Sequence, residues 1–85
     1  MKQFEYVIKS ELGIHARPAG LIAKAAQSGN SVCILTKDGK NVDLKKVFAL
    51  MAMGVKCGDR IEITVEGDDE DTVFEEIRDL FQKNL

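Results

Sequence analysis

The stretch SVCILTKDGKNVDL, residues 31–44, decides the fold because it contains two short strands and the turn between them. Residues 32–37 form a run rich in β-branched and apolar side chains, which is typical of a strand. Asp38 and Gly39 follow, and this pair readily adopts the positive φ angles of a two-residue hairpin turn. Residues 32–37 and 40–43 are therefore predicted to pair as an antiparallel hairpin, with Cys33 buried in its first strand.

Two further strands are predicted on either side of this hairpin. In FEYVIK, residues 4–9, apolar side chains alternate with polar ones, and RIEITVE, residues 60–66, repeats the pattern more cleanly. Such alternation is typical of a strand with one face against a core. The side chains predicted to face the core are Phe4, Tyr6, Ile8, Ile61, Ile63 and Val65.

Three helices are predicted between and after the strands. In the first, within residues 17–30, Pro18 suits the first turn and Gly29 suits a C-terminal cap. Its predicted apolar stripe comprises Leu21, Ile22, Ala25 and Ala26. The second, within residues 44–54, is short, apolar nearly all round and ends at Gly54. The third follows the acidic residues 68–71, which favour a helix N-terminus. Its predicted apolar side chains are Val73, Phe74, Ile77, Leu80, Phe81 and Leu85.

The predicted element order is β-α-β-β-α-β-α, within a single domain of residues 1–85 that has no linker or internal repeat. Because each strand is apolar mainly on one face, the economical packing is an antiparallel four-stranded sheet covered by helices on one side. The predicted fold class is therefore α/β, in the α+β sense, an open-faced β-sandwich. The element order does not fix the order of the strands within the sheet.

Composition limits the classes of function. Hydrophobic residues make up 45% and charged residues 31%, as in ordinary soluble globular proteins. No window is apolar enough to cross a bilayer, so we expect a cytoplasmic protein without direct membrane insertion. Cys33 and Cys57 have no C-x-x-C spacing and there is one histidine, which predicts reduced thiols and no metal site. A single disulfide between the two cysteines remains an alternative.

Charge is distributed unevenly along the chain. Residues 1–58 contain nine Lys/Arg and four Asp/Glu, a net charge of +5, whereas residues 59–85 contain three and ten, a net charge of −7; together they give the chain's −2. The acidic residues cluster at the start of the predicted last helix, where the helix dipole favours them. The basic excess surrounds residues 13–20.

The sequence GIHARPAG, residues 13–20, contains the only histidine and the only proline of the chain. No Ser, Thr, Asp or Asn stands in HARP to cap the helix, so its first N–H groups are free to bind an anion. Arg17 can contact phosphate oxygens with two donors, and the neutral imidazole of His15 is a nucleophile. These residues suggest a phosphohistidine site. The residues alone also allow a surface or capping role for His15, a solvated Arg17 and a simple helix start at Pro18.

The chain resembles the HPr family, the histidine-containing phosphocarriers of the bacterial phosphoenolpyruvate-dependent sugar phosphotransferase system. The resemblance rests on GIHARPAG, on DGKNVDLKKVFALMAMGVKCGD and on EGDDED before the last helix, and it extends over essentially the whole chain. It implies a four-stranded antiparallel sheet with three helices on one face. It also implies that His15 accepts a phosphoryl group on Nδ1 from Enzyme I and passes it to an Enzyme IIA domain. Arg17 and the backbone N–H groups near residues 16–18 would stabilise the phosphate, without a cofactor or metal.

The resemblance further implies an exposed docking surface next to the histidine. Its predicted residues are Ala16, Gly20, Leu21, Lys24, Lys46, Val47, Phe48 and Met51. On the short second helix Leu50 and Met53 can face the sheet, which leaves Val47, Phe48 and Met51 as surplus apolar side chains. From the residues alone, these three could equally all lie in the core. Many family members carry a phosphorylatable serine at position 46, where this chain has Lys46, so regulation through that serine is in doubt.

Several alternatives remain beside the sugar-transport phosphocarrier. An HPr-like paralogue with a regulatory role, or a role outside sugar uptake, would bind partners through the same face. A ferredoxin-like metal carrier is disfavoured by the missing C-x-x-C. A nucleic-acid-binding module is disfavoured by a pI of about 5.3 and five aromatic residues, and a hydrolase by the lone histidine. We therefore expect a monomeric carrier with protein partners rather than an enzyme.

Overall fold

The computed structural model describes residues 1–85 and contains four strands and three helices. In chain order they are β1 (Lys2–Val7), α1 (Ala16–Gln27), β2 (Val32–Lys37), β3 (Lys40–Asp43), α2 (Val47–Ala52), β4 (Arg60–Glu66) and α3 (Glu70–Asn84). The strands form one antiparallel sheet in the order β1-β4-β2-β3. This confirms the predicted element order and adds the strand order, with the last strand in sequence inserted between the first and the second.

The β2–β3 hairpin has the predicted register. Lys37 pairs with Lys40, and Asp38 and Gly39 between them adopt φ angles of 51° and 78°. Both residues thus adopt the positive φ angles that a type I′ turn requires, and that turn's twist matches the twist of the flanking strands. The hairpin places Asp43 and the start of α2 at the end of β3, directly after the sheet.

The core lies between the sheet and the helices. Ile61, Ile63 and Val65 of β4 are almost completely buried, as the alternation of RIEITVE predicted. Phe81 of α3 is also fully buried and packs in edge-to-face geometry with Phe4 and Tyr6, with ring centroids 5.7 and 5.8 Å apart. Such edge-to-face pairs add to the stabilisation from burial. Helix α3 is thereby fixed against β1.

Both cysteines are free thiols, which removes the disulfide alternative. Cys33 is buried in β2, as predicted, and Cys57 is exposed in the loop before β4. Burial raises the pKa of the Cys33 thiol, which keeps that group protonated and unreactive near neutral pH.

Two details of α1 differ from the sequence predictions. Leu21 is 40% exposed rather than part of the buried stripe, which is formed by Ile22, Ala25, Ala26 and smaller neighbours. Gly29 does not adopt a positive φ angle and is therefore not the expected left-handed cap. The helix ends instead at Gln27, and Ser28 is its C-cap: its N–H donates to the Lys24 carbonyl and its hydroxyl donates to the Ala25 carbonyl at 2.7 Å.

The acidic residues before α3 do more than favour its N-terminus. Asp69 accepts a hydrogen bond from the Asn30 N–H at 2.8 Å and another from the Ser31 hydroxyl. These two bonds hold the pKa of the Asp69 carboxyl below its ordinary value, and the bond from the Ser31 hydroxyl has the larger effect. Gly29 lies against the same carboxylate, where an added Cβ would approach Asp69 Oδ2 to 2.8 Å. The contact therefore joins the end of α1 to the start of α3.

Candidate functional site

The loop before His15 is held in place by backbone contacts. Gly13 has a φ angle of +64°, and a Cβ there would lie 2.2 Å from the Val55 carbonyl oxygen and 2.8 Å from the Lys56 Cα. The next residue, Ile14, is buried and donates its N–H to the same Val55 carbonyl at 3.0 Å. The tight approach requires glycine at position 13, and it fixes the backbone that leads into His15.

Helix α1 begins directly after His15, two residues before Pro18. His15 is the N-cap, with extended backbone (φ −115°, ψ −172°), and its side chain makes no capping hydrogen bond. The first helical bond runs from the Ala19 N–H to the His15 carbonyl at 3.0 Å. The N–H groups of Ala16 and Arg17 have no partner in the protein, and Pro18 has no N–H. The uncapped start predicted from HARP is therefore present, with two free donors.

The side chains at this helix start are accessible. His15 is half-buried, and Ala16 and Arg17 are exposed. Arg17 forms no ion pair with any carboxylate of the chain. Residues 15–17 thus combine a half-exposed imidazole, two free N–H donors, the positive end of the helix dipole and an unpaired guanidinium. This arrangement is suited to binding an anion such as phosphate.

Two hydrogen bonds connect the residues that flank α2 to α1 and to the loop before His15. The Gln27 side chain of α1 donates to the Lys45 carbonyl at 2.6 Å, just before α2. At the other end of α2, Val55 accepts from the N–H of Ile14, as described above. The start of α2 is itself shaped by Asp43, whose carboxylate accepts the Lys45 N–H at 2.9 Å. The histidine loop, α1 and α2 therefore meet in one region.

The apolar side chains of α2 divide between core and solvent. Leu50 is fully buried, and Met53, Val47 and Met51 are partly buried against the core. Phe48, in contrast, is 79% exposed. The alternative that all three surplus side chains belong to the core is therefore wrong for Phe48, and Val47 and Met51 lie between the two extremes.

We define the α1/α2 surface by the eight residues that the sequence predicted for docking. Ala16, Gly20, Leu21 and Lys24 are exposed on α1, and Gly20 has open space around it. Lys46 is the exposed N-cap of α2. The remaining residues of the surface are Val47, Phe48 and Met51. The structure therefore places the predicted residues on two helices that pack against each other.

The charges on this surface are unpaired. Neither Lys24 nor Lys46 takes part in any of the five ion pairs of the chain, and the neighbouring Lys45 takes part in none either. With Arg17 they form a set of four cations whose charges no salt bridge neutralises. No group of three or more His, Cys, Asp or Glu side chains is arranged to hold a metal ion. None of the helices is both long and apolar enough to cross a membrane.

Comparison with known proteins identifies the family of the chain. Residues 2–83 match the family model described as the PTS HPr component phosphorylation site. The chain belongs to the HPr family. It is 40% identical over 78 residues to the phosphocarrier protein HPr of Treponema pallidum, an alignment that covers 92% of this chain and 89% of that protein. The chain is accordingly an HPr-type phosphocarrier of the phosphotransferase system.

Solved HPr structures have the same fold. A histidine-containing phosphocarrier protein of Mycoplasma superposes with a TM-score of 0.93 at 32% identity, covering 96% of this chain and 93% of the other. An HPr of Thermoanaerobacter tengcongensis gives a TM-score of 0.91 at 35% identity, covering 98% and 93%. These likenesses confirm the predicted four-stranded antiparallel sheet with three helices. A second structure of the Thermoanaerobacter HPr is a dimer, with a TM-score of 0.76, 35% identity and coverage of 98% and 95%.

Sequence reasoning did not find the contacts that support the site. The Gly13–Val55 approach and the Gln27–Lys45 hydrogen bond join segments far apart in the chain, and one member of each pair contributes only a backbone carbonyl. Backbone groups carry no residue-specific signal. The only available sign was the glycine two residues before His15.

Proposed function

We propose that His15 carries a phosphoryl group from phosphorylated Enzyme I to an Enzyme IIA domain during sugar uptake, the phosphoryl group originating from phosphoenolpyruvate. In the first transfer, the Nδ1 lone pair of neutral His15 forms a bond to phosphorus. The bond between phosphorus and the donor atom of Enzyme I breaks, and its electron pair stays on the donor. The second transfer repeats this exchange with His15 as the donor.

The observation that carries this proposal is the uncapped start of α1 at His15. The free N–H groups of Ala16 and Arg17, together with the helix dipole, favour the negative charge of a phosphate held on the imidazole. The Arg17 guanidinium has no carboxylate partner and is available to the phosphoryl oxygens. In a loose phosphoryl transition state, positioning and charge stabilisation supply most of the catalysis. The carrier needs neither a metal nor a cofactor for this exchange.

The α1/α2 surface would bind both partners, because each must reach the same histidine. Its unpaired cations Lys24 and Lys46 favour an acidic partner surface, which would accelerate encounter without requiring tight binding. Phe48 gives the surface an exposed apolar centre, and the flexible Met51 beside it can adjust to partners of different shape. Transient binding to two successive partners is what a relay requires.

Lys46 separates this chain from family members that are controlled at a serine in this position. Lysine has no hydroxyl that could accept the phosphate, so we propose no corepressor role that depends on phosphoserine at this position. A cation at the start of α2 would instead favour an acidic partner permanently. The second candidate function, a paralogue serving regulation or a non-sugar pathway, is favoured by this same replacement. Phosphate flow to sugar-specific IIA domains distinguishes the two functions.

We further propose that residues 1–85 act as one cytoplasmic carrier domain, as a monomer, and that the chain is a substrate of its partners rather than an enzyme. The single core cluster shared by sheet and helices supports the one-domain proposal. Sedimentation or light scattering at several protein concentrations tests the monomer, since a dimer like that of the Thermoanaerobacter HPr would double the mass.

Incubation with purified Enzyme I and phosphoenolpyruvate tests the proposed function. Intact-mass spectrometry should detect one acid-labile phosphate on the wild-type chain and none on His15→Ala. The Arg17→Ala variant should still be labelled, but roughly 10²-fold more slowly, as expected when a donor to a developing charge is removed. Labelling of His15→Ala to the wild-type extent, or no labelling of the wild type when a known HPr is labelled, would overturn the proposal.

A further inference from the structure

Leu12 is a large apolar side chain that folding does not account for. It is 73% exposed and lies three residues before His15, in a turn closed by a 3.0 Å hydrogen bond from the Gly13 N–H to the Ser10 carbonyl. Turns favour Gly, Asn, Asp and Ser, whose backbone and hydrogen-bonding properties suit them. Leucine has no such advantage here, and at this exposure it also gains little from the core.

The position of Leu12 is restricted by its neighbours. Gly13 and Ile14 are buried, and their contacts with Val55 hold this side of the loop against the segment that follows α2. Three residues of chain span at most about 10 Å. A protein surface that contacts the His15 imidazole can therefore also reach Leu12, and it would meet this side chain on a backbone that is already ordered.

We propose that Leu12 is a second apolar anchor, in addition to Phe48, for the protein that exchanges phosphoryl groups with His15. This inference rests on the proposed function and extends its docking surface beyond the two helices. Leu12 and Phe48 are the two most exposed large hydrophobic side chains of the chain, and they come from separate segments. Two anchors on separate segments restrict the orientation of a bound partner more than a single anchor does.

The charges specify what the partner presents to each anchor. Near Phe48 the surface carries the unpaired cation Lys46, which favours carboxylates on the partner. Beside Leu12 the exposed charged residues have both signs: Glu11 precedes it, and Lys9 and Lys56 lie on the same side of the loop, where the Lys56 backbone packs against Gly13. Mixed charge gives no preference for either sign there, so the partner surface that fits Leu12 is an apolar depression, and the acidic groups that meet Lys46 lie toward α2.

The test compares Leu12→Ser with the control Val32→Ser. Val32 is 58% exposed on β2, and its neighbour Cys33 is buried in the core, so Val32 lies on the open face of the sheet. Both substitutions remove an exposed apolar side chain and should leave the thermal unfolding midpoint nearly unchanged. Purified Enzyme I with phosphoenolpyruvate is the probe, and the rate of His15 labelling is measured against carrier concentration.

We expect Leu12→Ser to raise KM roughly tenfold, the effect of losing a well-buried leucine contact, with kcat and the Val32→Ser values unchanged. An unchanged KM for Leu12→Ser, or equal increases in both variants, would refute the anchor while leaving the carrier function intact. A fall in kcat alone would also refute it, because an anchor acts on binding. Absence of labelling in the wild type would instead refute the proposed function and this inference with it.

Discussion

Replacing Gly13 with alanine tests whether the loop before His15 must be held as the structure shows. The φ angle of +64° is unfavourable for alanine, at a cost of roughly 1–2 kcal/mol. The new Cβ would also lie 2.2 Å from the Val55 carbonyl oxygen, a backbone atom that no side-chain rotation can move. The loop must therefore shift, and losing the hydrogen bond from Ile14 to Val55 costs about 1 kcal/mol more. We expect a loss of about 2–3 kcal/mol in the free energy of unfolding.

The matched control is Gly39→Ala in the β2–β3 turn. Gly39 has a similar φ angle, +78°, but no atom lies within 4 Å of the position of an added Cβ. This variant should lose only the roughly 1–2 kcal/mol of backbone strain. Urea unfolding gives both free energies, and labelling by Enzyme I gives the transfer rate, which should fall in Gly13→Ala and stay unchanged in Gly39→Ala. The reasoning would be refuted if the two variants had equal free energies of unfolding and Gly13→Ala kept the wild-type transfer rate.

Three further predictions concern the docking surface and the pH dependence of stability. Lys46→Ser should raise the KM of Enzyme I for this carrier and make that KM less dependent on salt concentration. Unchanged kinetics across a salt series would contradict the docking role of the cation. Phe48→Ala should raise KM while leaving the thermal unfolding midpoint within a degree or two, roughly, since the ring is 79% exposed; a large loss of stability would count against an exposed docking residue. The lowered pKa of Asp69 means that its ionised form stabilises the fold above the ordinary carboxyl pKa of about 3.9, and that this stability is lost as pH falls through the lower folded-state pKa. Asp69→Asn should therefore lower stability at neutral pH and flatten the acid unfolding profile in calorimetry, and an unaltered profile would contradict this assignment.

The elements of the fold were predictable because their signals are local. Alternation in RIEITVE identified β4, and Asp38-Gly39 identified the hairpin with its register. The insertion of β4 between β1 and β2 has no local signal, since it depends on how four one-faced strands pair most favourably. The left-handed cap expected at Gly29 was wrong for a similar reason. A glycine at a helix end is favoured both by a positive φ angle and by close packing, and here packing against Asp69 and Val73 accounts for it.

The candidate site was predictable where it depends on residue types next to one another in the chain. His15, Arg17 and the missing capping residue are adjacent, and the structure shows the same uncapped helix start. The partner surface was predictable only through the family resemblance, because the residues of the short α2 left open whether Val47, Phe48 and Met51 all lie in the core. Leu12 was not predicted at all. Its importance depends on exposure in a turn, which the sequence pattern of a short loop does not reveal.

We infer that the phosphate on His15 is an intermediate in transit. Its most direct test is to label the chain with Enzyme I and phosphoenolpyruvate, remove Enzyme I, and add a purified sugar-specific IIA domain. Phosphorus NMR should then show the phosphohistidine signal of this chain disappear as a phosphorylated IIA domain forms in equal amount. A phosphate that stays on His15, or that is released only as inorganic phosphate while the IIA domain accepts phosphate from a known HPr, would contradict the relay.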